Sequence, residues 1–347
     1  MGLVLGLALA LWAIGALMKV PPPGRWAMIA ALYAAVLAVQ LALPAPHPLK
    51  RAIGGSPEGW LALGGAVAAV LGYRAGLRAL RRRAARHASR QAPVASGPFR
   101  ATELDRYARH IVLREIGGPG QKRLKQAKVL VIGAGGLGSP ALMYLGAAGV
   151  GTLGVVDDDI VSNSNLQRQV IHTDARIGLP KVFSAKEAIL GQNPFVEVRP
   201  YNRRLDETTA RLLFAEYDLI LDGSDNFETR YLVNRVAVET GTPLVAAAIA
   251  QWEGQISLYD PARGTPCYAC IFPEAPAPGL APSCAEAGVV GPLPGVMGTM
   301  MAVEAIKALT GAGEGLRGRM LIYDALYADT RVIALKRRPG CPVCGRG

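Results

Sequence analysis

Gly133, Gly135 and Gly138 stand at the G-x-G-x-x-G spacing, directly after the apolar run Lys128–Ile132. That spacing provides a tight turn, lets backbone N–H groups approach a phosphate closely, and aims a helix N-terminus at the anion. Asp157 ends the next apolar run, where a carboxylate can hold ribose hydroxyls. Taken by themselves these residues specify a nucleotide, and NAD suits them as well as ATP. The polar stretch that follows (157–169) alters the balance, because Arg168 and then Lys181 bring two cations to the same crevice. Asp225 and Asn226 close a further apolar run at the same sheet edge. A nicotinamide cofactor requires neither the extra cations nor a metal-binding acid. ATP broken between its α- and β-phosphates requires both, cations for the developing charge and a carboxylate for Mg²⁺.

A second chemistry lies in the cysteines, all five in the last third of the chain. Cys267/Cys270 and Cys341/Cys344 are two C-x-x-C pairs, the spacing that lets two thiolates take adjacent corners of a tetrahedron. Zn²⁺ held by all four would staple the end of the chain back onto its domain; two independent redox pairs are the competing reading. Cys284 is unpaired and follows a Pro/Ala/Gly-rich stretch (274–282) unsuited to regular structure. A thiol on a mobile loop suits a nucleophile, and a small packing residue is the equally weighted alternative. An odd cysteine count argues against a disulfide framework.

The elements that must position these groups alternate along the chain. A helix is expected over 102–116, capped by Thr102 and stopped by Gly117, Gly118 and Pro119. Strands follow at 128–132, 153–156, 195–198, 218–221 and 244–248, with helices at 137–148, 180–190, 206–214 and 227–239 between them. This order predicts an α/β, Rossmann-like, doubly wound and mostly parallel sheet. Late strands at 254–259, 319–323 and 330–335, with a helix near 297–309, predict an antiparallel extension.

The charge of the whole chain, +12, suggests a nucleic-acid binder until it is divided. Residues 1–100 carry +11, with Glu58 as their single acid, and 101–347 carry +1. No basic face for RNA or DNA remains in the globular part. The basic segment holds apolar runs at 3–20, 26–43 and 60–80, the last interrupted by Arg74 and Arg78, and ends in an arginine-rich stretch at 81–90. Two to three transmembrane helices with a cytoplasmic basic flank are expected. A signal peptide fits less well, because no positive residue precedes the first run. The chain therefore divides into a membrane segment (1–90), a linker (91–100) and a catalytic domain (101–347).

From residue 106 to 345 the sequence resembles the MoeB/ThiF/HesA family, the prokaryotic relatives of ubiquitin-activating enzymes, and its MoeB branch most. The resemblance rests on Arg106 to Arg109, the glycine motif, Ser164 to Arg168, Pro180 with Lys181, Asp222 to Asn226, Glu253 to Gln255, both cysteine pairs, and the segment opened by Cys284. It implies that Gly136 contacts the nucleotide with Gly133, Gly135 and Gly138, and that Asp157 holds the ribose. Ser164, Asn165, Arg168 and Lys181 would surround the phosphates, and Asp225 would take Mg²⁺ with Asn226 beside it. Arg109 would reach into the partner subunit of a homodimer. The implied reaction is adenylylation of the C-terminal Gly-Gly of a ubiquitin-like sulfur-carrier protein, of molybdopterin-synthase small-subunit type first and thiamine type second. A relative that dehydrates a modified tRNA adenosine would want the basic face that 101–347 lacks. A non-catalytic membrane tether for the carrier is the alternative of another class, opposed by intact Arg168, Lys181 and Asp225. No sulfurtransferase domain is recognisable after Cys344, so a separate sulfur donor is expected.

Overall fold

The computed structural model describes residues 2–44, 47–90, 97–277 and 284–345. The chain divides into two compact units, Met1–Val94 and Ala95–Gly347.

The first unit is helical: α1 (Gly2–Leu17), α2 (Pro22–Ala42), α3 (Pro48–Ile53) and α4 (Pro57–Arg90). Val4, Val36 and Trp60 form a small buried cluster. The Trp60 indole N–H donates to Gly54 O at 2.9 Å, and the Tyr33 hydroxyl donates to Trp60 O at 2.5 Å. Of the expected spans, one helix among the described residues is long and apolar enough to cross a membrane, α2 with 21 residues. The first apolar run forms a helix of 16 residues. The third lies inside α4, whose arginines interrupt its apolar character.

In the second unit the helix expected over 102–116 is two short helices, α5 (Ala101–Arg106) and α6 (Ala108–Ile111), and a further helix, α7 (Gly117–Gln126), begins where the glycines were expected to stop it. Thr102 lies inside the first turn, and the N-cap position belongs to Arg100, whose N–H donates to Glu103 Oε2 at 2.9 Å. Glu103 is buried and paired with Lys125 on α7, so tertiary pairing sets this start. Gly117 opens α7 instead of ending a helix; its φ of +60° makes the corner, and Pro119 falls in the first turn, where its missing N–H is harmless.

The series then runs β1 (Lys128–Ile132), α8 (Gly138–Ala148), β2 (Thr152–Val156), α9 (Lys181–Gln192), β3 (Glu197–Tyr201), α10 (Glu207–Phe214), β4 (Leu219–Asp222), α11 (Phe227–Thr240) and β5 (Leu244–Ala250). It continues with β6 (Glu253–Tyr259), α12 (Tyr268–Ile271), α13 (Cys284–Ala287), α14 (Pro292–Thr310), β7 (Arg319–Asp324) and β8 (Asp329–Ala334). The last long helix starts five residues earlier than expected because Pro292 and Pro294 sit in its first turn.

One sheet of eight strands has the order β3-β2-β1-β4-β5-β6-β7-β8. β1 pairs in parallel with β2 (Val129 opposite Leu153) and with β4 (Val129 opposite Leu219). From β5 to β8 every pairing is antiparallel, with Ile256 opposite Leu321. Both faces are covered, as the unbroken apolar strands require. Val129 and Val131 pack with α8, α9 and α14; Leu130 and Ile132 turn to the other face, with Phe214 of α10 and Val233 of α11. The chain leaves β1 for β2 on one side and places β4 on the other, so a crevice opens beyond the carboxyl ends of β1 and β4.

Candidate functional site

The glycine turn fills that crevice. Gly133 leaves β1 with a φ of +91°, and its N–H donates to Val156 O at 2.8 Å. A Cβ there would stand 3.0 Å from Gly223 O, the residue after β4. A Cβ on Gly138 would collide with the carbonyl oxygen of Gly133, so the turn closes only with glycine at both ends. The Ala134 N–H donates to Asp157 Oδ2 at 2.7 Å, and the Asp159 N–H donates to Asp157 Oδ1 at 2.9 Å. Burial pushes the Asp157 carboxyl above the usual aspartate range, against the pull of Lys181 and of these two N–H groups. Each oxygen keeps a free lone pair, which suits a ribose hydroxyl.

Lys181 is the first residue of α9, with its side chain 5% exposed and its ammonium 2.7 Å from Asp159 Oδ2. Arg168 donates to Asn165 Oδ1 at 2.8 Å and to Ser164 O at 3.3 Å. Its Cγ lies 3.8 Å from where a Gly136 Cβ would be, so the guanidinium stem crosses the glycine turn. At the end of β4 the buried Asp222 accepts from Ser224 N–H at 2.9 Å and from its hydroxyl at 2.6 Å, which shapes the turn that exposes Asp225. Asn226 caps α11, its Oδ1 accepting from Thr229 N–H at 2.9 Å. Asp225 has no ion pair among the described residues and suits a Mg²⁺ that is mostly held by substrate phosphates.

Arg109 lies on α6, exposed and without a partner among the described residues. Cys284 opens the four-residue α13, and 278–283, most of the stretch preceding it, lie outside the described residues.

Four polar residues of the site take no role from sequence, Gln169 standing only as the end of the polar stretch 157–169. Arg230 is buried and donates to Ser224 O at 2.6 Å, holding the β4 turn. His172 and Ser184, both buried, meet at 2.8 Å beneath the glycine turn. Gln169 is 5% exposed, and its Oε1 is the one buried side-chain oxygen or nitrogen without a partner among the described residues. Each looks like an ordinary polar residue until the fold surrounds it.

The two cysteine pairs, seventy residues apart in sequence, converge. Their four sulfurs lie within 4.8 Å of one another, with Cys267–Cys270 at 3.9 Å, Cys267–Cys341 at 3.8 Å and Cys270–Cys344 at 3.4 Å. Four thiolates bound at about 2.3 Å to a tetrahedral ion stand roughly 3.8 Å apart. The arrangement fits Zn²⁺ and leaves no position for water. Asn234 on α11 supports it, Nδ2 reaching Cys267 Sγ at 3.8 Å while Oδ1 accepts from Tyr268 N–H at 2.8 Å. Burial pushes the Cys267 and Cys270 thiols up, and a bound dication would reverse that.

The ThiF family profile matches residues 107–343. The chain is 51% identical over 247 residues to the sulfur carrier protein adenylyltransferase of Thermus thermophilus, covering 70% of this chain and 91% of that protein. It is equally identical over 247 residues to the SAMP-activating enzyme E1 of Haloferax volcanii, covering 71% and 91%. It is 47% identical over 262 residues to the adenylyltransferase and sulfurtransferase MOCS3 of Bos taurus, covering 74% of this chain and 57% of that one. Among solved structures, E. coli MccB with MccA-N7isoASN shares the fold at a TM-score of 0.62 and 24% identity, over 70% of this chain and 75% of that one.

Proposed function

This chain belongs to the ThiF family, and from that premise we propose that it uses ATP to adenylylate the C-terminal glycine of a ubiquitin-like sulfur-carrier protein, releasing pyrophosphate. The observation that carries the reading is the meeting of Lys181, Arg168 and Asp157 around the glycine turn, in a chain that over 247 residues is 51% identical to a sulfur carrier protein adenylyltransferase. The carrier's own carboxylate attacks the α-phosphorus, so this step needs no protein nucleophile. Lys181 and Arg168 neutralise the charge that passes to the leaving pyrophosphate, and Asp157 orients the ribose. Asp225 would hold Mg²⁺, which adds charge neutralisation at the phosphates. A carrier of molybdopterin-synthase small-subunit type is proposed first and one of thiamine type second.

Three further assignments belong to this reading. The cluster of Cys267, Cys270, Cys341 and Cys344 holds one structural Zn²⁺. Arg109, exposed and unpaired among the described residues, serves the second subunit of a homodimer. The N-terminal helices, with Leu3, Leu5, Leu9, Leu63, Val67 and Leu71 exposed on them, anchor the enzyme at the cytoplasmic face of a membrane.

The test is ATP–pyrophosphate exchange by the purified protein with each candidate carrier. Exchange that depends on a carrier's intact terminal glycine supports the function; absence of exchange with every Gly-Gly carrier of the same genome overturns it.

A further inference from the structure

Beneath the glycine turn, Ala134 is held on both sides of its backbone. Its N–H donates to Asp157 Oδ2, and its carbonyl oxygen lies 2.9 Å from His172 Nε2 and 3.4 Å from the Ser139 hydroxyl. A carbonyl can only accept, so His172 carries its proton on Nε2. Nδ1 is then the acceptor, and Ser184 Oγ, 2.8 Å away, donates to it. His172 is 5% exposed and Ser184 and Ala134 are fully buried, so water cannot replace these partners.

The peptide bond that follows Ala134 is planar and trans, so the Gly135 N–H points opposite to the Ala134 carbonyl. With that carbonyl drawn inward to His172, the Gly135 N–H is turned outward, to the crevice. Among the described residues it has no acceptor. Glycine permits the opposite peptide orientation at little steric cost, and that orientation would present a carbonyl oxygen to the phosphates.

We propose that His172 is a positioning residue for the nucleotide: it locks the Ala134–Gly135 peptide so that the Gly135 N–H faces the phosphates, and through Ser184 it ties this donor to the helix that begins with Lys181. Ser184 stands one turn after Lys181 on α9, and its carbonyl is held in turn by Arg176 at 3.0 Å. The two sources of positive potential at the phosphates, a backbone N–H and an ammonium, are thereby kept in register by one imidazole. His172 touches no substrate. It acts through Gly135 and Lys181. Burial, with the nearby charges of Lys181 and Arg176, keeps the ring below the ordinary histidine pKa and hence neutral, as the arrangement requires.

The inference rests on the proposed nucleotide chemistry, and its test separates the two. Affinity of the full-length protein is measured for ATP and for adenosine, which has the base and ribose but no phosphate. His172→Phe fills the ring's space without its hydrogen bonds. It should weaken ATP by about tenfold or more, the worth of a hydrogen bond to a charged group, and leave adenosine affinity unchanged. His172→Gln, which can still donate to Ala134 O, should restore most of the ATP affinity. Equal weakening of both ligands would mark His172 as a purely structural residue and overturn the proposal, as would unchanged ATP binding. Should His172→Phe fail to fold, Ser184→Ala carries the same comparison, with a smaller selective loss for ATP expected. Failure of wild-type pyrophosphate exchange would remove the proposed function and leave the ATP–adenosine comparison standing.

Discussion

The ammonium of Lys181 and the carboxylate of Asp159 meet at 2.7 Å, with 5% of the lysine side chain exposed and 69% of the aspartate's. A cation this deep needs a partner in every state of the enzyme. Asp159, open to solvent, provides one that a polyphosphate can replace without stranding a buried acid. The Asp159 carbonyl also accepts the Lys181 N–H at 2.9 Å, so the backbone stays aligned during the exchange of partners.

Lys181→Met keeps the buried stem and removes the charge. It should lower carrier-dependent pyrophosphate exchange by about 10²–10³, the usual loss for one preorganised charge-stabilising group. Asp159→Asn should cost less, because the backbone bond remains. Near-normal exchange by Lys181→Met would exclude its phosphate role.

Asp225 and Asn226 are neighbours with separable duties. Asp225→Ala should abolish exchange while the melting temperature stays at the wild-type value, since no hydrogen bond is lost. Asn226→Ala removes the α11 cap and should cost about 1 kcal/mol of stability by denaturant titration. Wild-type stability in the second variant would mean the cap contributes nothing.

One zinc per chain is expected by elemental analysis, and its removal by a chelator should lower the melting temperature. Asn234→Ala should loosen the metal by roughly 10–100-fold in a chelator competition, by taking away the support of Cys267. Metal-free protein with unchanged melting would refute the structural role.

Folded His172 titrates below 6.5 and so favours its neutral form more than the unfolded chain does. Its contribution to stability is present above pH 6.5 and is lost as pH falls from there through the native value. Asp157, raised above 3.8, acts with the opposite sign over the acid range: its protonation on acidification favours the fold. Melting curves from pH 7 to 4.5 should therefore show wild type losing stability relative to His172→Gln. Parallel curves would place His172 at an ordinary pKa.

The full-length chain should sediment with membranes and require detergent, and a chain beginning at Ala95 should exchange pyrophosphate at the full rate. Full-length protein free in the soluble fraction would rule out the anchor.

Local chemistry determined much of this protein from sequence alone. The strand at Lys128–Ile132 was legible to the residue, because an apolar run ends in a glycine turn that no other backbone could make. The turn after β1 followed from the glycine spacing, and the antiparallel tail followed from the change in element order after Glu253. Beyond the two cysteine pairs, what sequence spacing does not contain is which distant groups meet. The helix expected over 102–116 is interrupted at Tyr107 and ends at Ile111, and Glu103 of α5 pairs with Lys125 of α7 beyond the corner at Gly117. The joining of the two C-x-x-C pairs was legible in their spacing, whereas the support that Asn234 of α11 gives Cys267 was not. His172 has no periodicity and no motif of its own. It becomes the support of the glycine turn only when α9 and β1 close around it, since a buried imidazole must satisfy both nitrogens and the fold alone decides with what.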